Sequence, residues 1–251
     1  MTAPTAPGDT VRTRAWVEHI MGMPISIHVR AEDPRRPDVE AAVAATYADL
    51  RRADATFSTW DTDSQLMRLR AGTFTGERDA WLDDVAAWCA AAERATGGAF
   101  TTDLVGPDGT RGWDPTGLVK GWAVTEAAAH LRRLEGVAFS INAGGDILCG
   151  RGPQTPARPW RIGIQHPGNP RAIAATVELV DGAVATSGTG ARGTHIIDPR
   201  THTPVQDTGS VTVTGPDLVW CDIWATACFV DPDCLTRHPD RMNYRLARLP
   251  A

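Results

Sequence analysis

The chain has 251 residues, 42% hydrophobic and 22% charged, with a formal net charge of −5 at pH 7. Those values describe a globular protein with a core of ordinary size. They argue against a general nucleic-acid binder or a protein held to an anionic membrane surface, and no Lys/Arg run suggests a local basic groove. No stretch approaches the roughly 20 apolar residues of a membrane span, so no membrane insertion is expected. Residues 1–10 lack a charged n-region and an apolar h-region, and the five cysteines contain no Cys-x-x-Cys pair. Both features predict a cytoplasmic protein with reduced, mostly buried thiols and no zinc.

Residues 1–13 read as a disordered tail, and residues 14–251 as one domain, divisible at most into two subdomains. Alternation at Ile25, Ile27 and Val29 predicts a strand over 15–30, broken at Gly22 and Pro24. Val39, Val43, Tyr47 and Leu50 recur at helical spacing and predict a helix over 38–57 capped by Asp38. A loop at 58–64 leads to a short helix through Leu66 and Leu69. A further helix is predicted over 79–95, stopped by Gly97-Gly98. The stretch 118–134 reads as one helix. Strands follow at 137–142 and 147–149, separated by a turn at 143–146. The remainder is strand-rich (160–164, 174–180, 195–197 and 210–214) and is interrupted by a helix over 217–230. Helices and strands mix without regular βαβ spacing, so the predicted class is α+β, with a helical N-terminal half and a strand-rich C-terminal half.

Four constellations can carry chemistry. Lys120 is the only lysine, the other 24 of the 25 basic residues being arginine. A compact ammonium and a planar guanidinium do not replace one another at a tight site. With Asp114 and Gly117 it surrounds the first turn of a predicted helix, either as an anion site or as an Asp cap beside a surface lysine. Asn142-Ala143-Gly144-Gly145-Asp146 brings backbone close to a ligand or turns a hairpin. A small-residue loop from Thr186 to Gly193 delivers His195 to a strand, as a phosphate-wrapping loop with an acid–base histidine or as a structural one. Asp222 and Thr226 lie one turn apart on an apolar helix, suited to a hard cation such as Mg²⁺ or to hydrogen bonds within the core.

In this order the motifs resemble the ApbE family of FAD:protein FMN transferases. The resemblance rests on Met21-Gly22-Met23-Pro24, Phe57-Ser58-Thr59-Trp60, Gly98-Ala99-Phe100 and Asp114-x-x-Gly117-x-x-Lys120-Gly121-Trp122. It continues through Asn142-Ala143-Gly144-Gly145-Asp146, Trp160-x-Ile162-Gly163-Ile164, Ala185-Thr186-Ser187-Gly188, His195-Ile196-Ile197-Asp198-Pro199 and Asp222-x-x-x-Thr226.

The resemblance implies an enzyme that splits the pyrophosphate of FAD with Mg²⁺ and attaches FMN to a Thr or Ser hydroxyl of an acceptor protein, releasing AMP. Hydrolysis of FAD to FMN and AMP, and FAD binding without turnover, are the alternatives it leaves. Residue by residue, it implies metal binding by Asp222, Thr226 and the Gly117 carbonyl, and FAD contacts from Met21, Trp60, Ala99, Phe100, Asp114, Lys120 and Ser187. His195 takes the position of the transfer histidine. The sequence departs from the family where Phe100 is followed by Thr101-Thr102-Asp103 rather than by an Asp, which leaves one FAD-contacting carboxylate absent or moved to Asp103.

Overall fold

Isoleucines at alternate positions need one face of a strand to be covered on a core. In the computed structural model, which describes residues 11–105, 111–188 and 196–250, Ile25, Ile27 and Val29 are fully buried. They belong to β2 (Met23–Ala31), which pairs antiparallel with β1 (Arg12–Ile20). The two residues between them, Met21 and Gly22, both take positive φ (55° and 70°), as a tight two-residue hairpin requires. The predicted break at Gly22 is therefore a hairpin turn. Pro24 does not break β2: the next strand pairs only from Ile25 onward, so Pro24 sits at the ladder's end, where a missing N–H is tolerated. Arg12 and Thr13 correct the predicted tail, because they pair with Ala31 and Arg30. Residues 1–10 of that tail lie outside the described residues.

Helix α1 (Pro37–Phe57) buries Val39, Val43, Tyr47 and Leu50 as their spacing predicts. Its N-cap is Arg36 with Pro37 at the first position, so Asp38 is a first-turn acid and not the cap. The short α2 (Gln65–Arg70) is capped by Ser64, whose hydroxyl accepts the Met67 N–H at 3.1 Å. Helix α3 (Trp81–Thr96) ends at Gly97 in the left-handed conformation, φ 60°. A small ribbon, β3 (Asp103–Val105) with β4 (Arg111–Trp113), leads into α4 (Thr116–Ala127).

The single helix predicted over 118–134 is divided at Ala128 into α4 and α5 (Ala129–Arg132). There the Leu131 N–H turns back to Ala128 at 3.1 Å, and the Ala127 carbonyl lies 3.2 Å from the Thr46 hydroxyl of α1, whose shorter bond goes to Ala42 of its own helix at 2.8 Å.

The remaining strands are β5 (Ala138–Ala143), β6 (Asp146–Arg151), β7 (Trp160–His166), β8 (Asn169–Leu179), β9 (Gly182–Gly188), β10 (Ile197–Asp198), β11 (Thr203–Pro204), β12 (Ser210–Gly215) and β13 (Arg245–Leu249). Helix α6 (Leu218–Val230) lies between β12 and β13, and Asp217 caps it by accepting the Trp220 N–H at 2.9 Å. The main sheet has seven strands in the order β1-β2-β5-β6-β9-β12-β13. The fold is α+β as predicted, and strands from both halves of the sequence build its one large sheet.

Strand alternation divides that sheet's two faces. Leu148 and Ala183 join the core shared with α1, α4 and α6, whereas Cys149 and Val184 pack with Trp160, Ile162 and Ile164 of the β7–β8 ribbon. Trp122 fixes α4 in the helical layer, its ring packed edge-on against Phe57 (5.8 Å) and Trp81 (5.1 Å). Among the described residues, no helix is long and apolar enough to cross a membrane.

All five cysteines are free and buried. Burial pushes the Cys149 thiol up to about 11 and the Cys234 thiol to about 12, and raises Cys89, Cys221 and Cys228 as well. Thiolate is the reactive form. The folded protein at pH 8 should therefore leave a disulfide thiol reagent colourless, and all five thiols should react at once in guanidinium. Rapid reaction of even one thiol in the native protein would contradict this core arrangement.

Candidate functional site

Lys120 stands in the second turn of α4. Its neighbour Gly121 determines how near α4 comes to α6. A Cβ at Gly121 would lie 3.3 Å from the Leu218 carbonyl and 3.4 Å from the Asp222 carboxylate. The two helices therefore touch through backbone, and a larger residue would press them apart. At that separation the Lys120 ammonium lies 3.8 Å from Asp222 Oδ2. It also forms a direct ion pair with Asp146 Oδ2.

Asp146 is the first residue of β6, delivered by the Gly144-Gly145 turn with φ of 61° and 100°. Its other oxygen, Oδ1, accepts the Thr186 N–H of β9 at 3.0 Å. The side chains of Asp146 and Asp222 are only 2% and 6% exposed, and that of Lys120 is 19% exposed.

Two buried carboxylates thus lie beside one ammonium. Carboxylates gathered in a buried site favour a cation. Oxygen donors suit a hard ion such as Mg²⁺. Among the described residues, no three His, Cys, Asp or Glu side chains group as a metal site. A cation here would draw its remaining ligands from hydroxyls, backbone carbonyls or a bound anion, as Mg²⁺ commonly does with phosphates. The residues present fit such an ion.

A hydroxyl pair adjoins the cluster. Ser187 Oγ of β9 and Thr226 Oγ1 of α6 are 2.8 Å apart, one helical turn beyond Asp222. Phe100, buried after α3, lies against the start of α4, and a Cβ at Gly117 would meet its ring at 3.4 Å. Ala99 beside it is buried too.

Asp114 does not cap α4, because Pro115 holds that position. Its Oδ1 instead accepts the N–H (3.0 Å) and the hydroxyl (2.6 Å) of Thr116, and its Oδ2 lies 3.7 Å from Arg70. Asp103 is exposed at the start of β3 and paired with Arg111 at 2.8 Å. Met21 occupies the β1–β2 turn, its N–H bonded to Asp54 Oδ2 at 3.0 Å. Trp60 is 96% exposed on the loop after α1. His195 lies outside the described residues.

The structure therefore gathers Lys120, Asp222, Thr226 and Ser187, sets Phe100 against Gly117, and leaves Met21 and Trp60 on separate loops. It adds Asp146, which the sequence offered only as the last residue of the Asn142–Asp146 glycine turn. The available signal was strand period: Asp146 and Leu148 are two apart, hence on the one face of β6 that meets the helices.

The ApbE family profile matches residues 108–238, half of the chain. The chain belongs to the ApbE family. The matched stretch runs from β4 through α6 and contains Lys120, Asp146, Ser187, Asp222 and Thr226; Met21, Trp60, Ala99 and Phe100 precede it. Two relatives are named FAD:protein FMN transferase. The protein of Haemophilus influenzae is 31% identical over 128 residues, 47% of this chain and 37% of that protein. That of Klebsiella pneumoniae is 35% identical over 117 residues, 41% of this chain and 33% of that protein. The match spans about a third of the length of these relatives.

Solved ApbE structures share the fold. The ApbE protein of Thermotoga maritima superposes with a TM-score of 0.76 at 21% identity over 94% of each chain. The flavin transferase ApbE of Vibrio cholerae gives 0.74 at 20% identity, covering 95% of this chain and 97% of that one.

Removing the ammonium leaves two buried carboxylates face to face. Lys120→Met should lower unfolding free energy by about 3 kcal/mol, the scale for breaking a buried ion pair. Urea unfolding at low ionic strength measures it, and a change under ~0.5 kcal/mol would mean the cluster is solvated like a surface pair.

Proposed function

We propose that this ApbE-family chain is a Mg²⁺-dependent flavin transferase, which moves the FMN half of FAD onto a Thr or Ser hydroxyl of an acceptor protein and releases AMP. The observation that carries this reading is the buried Lys120–Asp146–Asp222 cluster at the junction of α4, β6 and α6. The naming of the Haemophilus and Klebsiella relatives as FAD:protein FMN transferases supports it.

In this reading the acceptor oxygen attacks the phosphorus of the FMN half, and the bond from that phosphorus to the bridging oxygen breaks. AMP departs with the bridging oxygen, and the hydroxyl proton is taken up as the new ester forms. Such transfers depend mainly on in-line positioning and on neutralising phosphate charge. A bound divalent cation would supply much of that neutralisation.

The chain's own groups do the rest. Asp222 and the Thr226 hydroxyl hold the cation's side of the site, with the Gly117 carbonyl as a backbone ligand. Lys120 brings a second positive charge to the edge where the pyrophosphate would lie. Ser187 holds the Thr226 hydroxyl in place and can donate to a phosphate oxygen. Phe100 and Ala99 offer an apolar wall at the start of α4, and Met21, Trp60 and Asp114 are assigned to the rest of the FAD molecule. His195 is assigned to the moving phosphoryl or to the acceptor proton.

The test is incubation with FAD, Mg²⁺ and an acceptor peptide, read by mass spectrometry of the peptide and chromatography of the nucleotides. The expected result is FMN-modified peptide with equimolar AMP, abolished by a chelator and lowered at least ~100-fold by Asp222→Ala. His195→Gly should likewise stop transfer. FMN and AMP without modified peptide, across several acceptor sequences, would replace transfer by hydrolysis. FAD that stays bound and intact would leave a binding protein.

A further inference from the structure

The edge of a sheet presents unpaired N–H and C=O groups, and folds commonly blunt it with charge. The main sheet follows that rule. Its edge strand β1 carries Arg12, Arg14 and Glu18, and its other edge, β13, carries Arg245 and Arg248. The β7–β8 ribbon differs. Strand β8 has β7 as its only strand neighbour, and most of its residues are exposed. From Ala172 to Val177 it reads Ala-Ile-Ala-Ala-Thr-Val, without a charge, a glycine or a proline, and Ile173 is 61% exposed. An uncharged, open edge of this kind is a template for another strand. Neither β7 nor β8 carries a residue assigned to FAD or to the cation.

The ends of the uncharged run are charged, and a bulge puts both on one face. Arg161 pairs with Glu178, Gly163 with Thr176 and Gln165 with Ile173. Residues 161, 163 and 165 share the exposed face of β7, so Glu178, Thr176 and Ile173 share the matching face of β8. Ile173 and Thr176 are three apart, and the extra residue Ala174 takes up the odd step. The Ile173 side chain lies across Gly163, where a Cβ would meet its Cδ1 at 2.8 Å. Arg171, two residues before Ile173, extends the same face. That face of β8 thus carries a cation (Arg171), an apolar group (Ile173), a hydroxyl (Thr176) and an anion (Glu178), placed evenly about Ala174-Ala175. Glu178 has a loose, exposed pair in Arg161 of its own ribbon at 3.5 Å.

We propose that the β8 edge is a self-association surface, on which a second copy of this chain pairs antiparallel through its own β8. The charge pattern of the strand is self-complementary. In the register that sets Ile173 of each copy opposite Thr176 of the other, Arg171 of each copy lies opposite Glu178 of the other. Two ion pairs then flank the two-fold axis, and the two ribbons join into one continuous sheet. This is the isologous contact of a C2 dimer, in which each residue of the patch meets its complement twice. The β13 edge has no such register, because it offers only cations to a second copy.

Sedimentation velocity of the full chain tests this, at concentrations up to about 100 μM because a strand-pair contact is smaller than a standard interface. The wild type should form a reversible species of twice the 26.9 kDa of one chain. Arg171→Glu and Glu178→Arg each set like charges opposite one another, and each should weaken the dimer about tenfold or more. Mixed in equal amounts, the two single variants regain opposite charges at both ends and should form a heterodimer of near wild-type affinity. The double variant should dimerise with itself. Both positions are exposed, and circular dichroism establishes that each variant is folded; a folding defect would not be repaired by mixing. A wild type that stays monomeric overturns the proposal. So does a dimer that both single variants leave intact, or a pair of single variants that stays monomeric on mixing. Protection of the 172–177 amides from hydrogen exchange only when an acceptor peptide is added would give the edge to the acceptor and overturn it too.

Discussion

The backbone contact between α4 and α6 at Gly121 is the constraint on which the site depends. It sets the distance at which Lys120 meets the Asp222 carboxylate, and a Cβ at that position would press on the Leu218 carbonyl at 3.3 Å and on Asp222 at 3.4 Å. A buried carboxylate loses several kcal/mol of hydration that opposite charge and hydrogen bonds must offset. The ion cluster is therefore stable only while α4, α6 and the start of β6 keep their places. Those places are set by apolar packing: Trp122 locked between Phe57 and Trp81, and α6 laid on β9 and β12 with Leu218, Ile223, Ala225 and Phe229 almost wholly buried. The core is what allows the charges to remain close and dry.

Cys221 precedes Asp222, and its thiol is pushed upward first by burial and then by the carboxylates Asp217, Asp222 and Asp146. Lys120 pairs with Asp146 and lies 3.8 Å from Asp222 in the same region. The Ser187–Thr226 hydroxyl pair continues the polar strip along α6 and β9. A hard cation and the phosphates that accompany it match this sequence of carboxylates, ammonium and hydroxyls.

What the sequence made legible follows the range of the forces involved. Local periodicity located α1, α3 and α6, because helix period and capping act within a few residues. The same period put Asp222 and Thr226 on one helical face, and the single lysine marked its own position. Features set by distant partners were hidden. Arg12 and Thr13 look like tail until β2 pairs with them. The division at Ala128 falls beside a Thr46 hydroxyl that is 81 residues away from Ala127 in the chain. Asp146 was visible only as the end of a glycine turn, since the partners that give it meaning, Lys120 and Thr186, arrive from α4 and β9.

The use of lysine in a chain that otherwise writes its cations as arginine has a physical reason here. A guanidinium offers parallel N–H groups and would grip one carboxylate through both oxygens. In this site one oxygen of Asp146 is already committed to the Thr186 N–H, and the Asp222 carboxylate lies against Gly121 with little space around it. A planar fork would have to displace one or the other. An ammonium is small, has three donors and needs no fixed plane, so it can hold Asp146 through a single oxygen and still lie near Asp222 without enclosing it. The residue type, its place one position before Gly121 and the nearness of the Asp222 carboxylate on α6 are consequences of the same close packing.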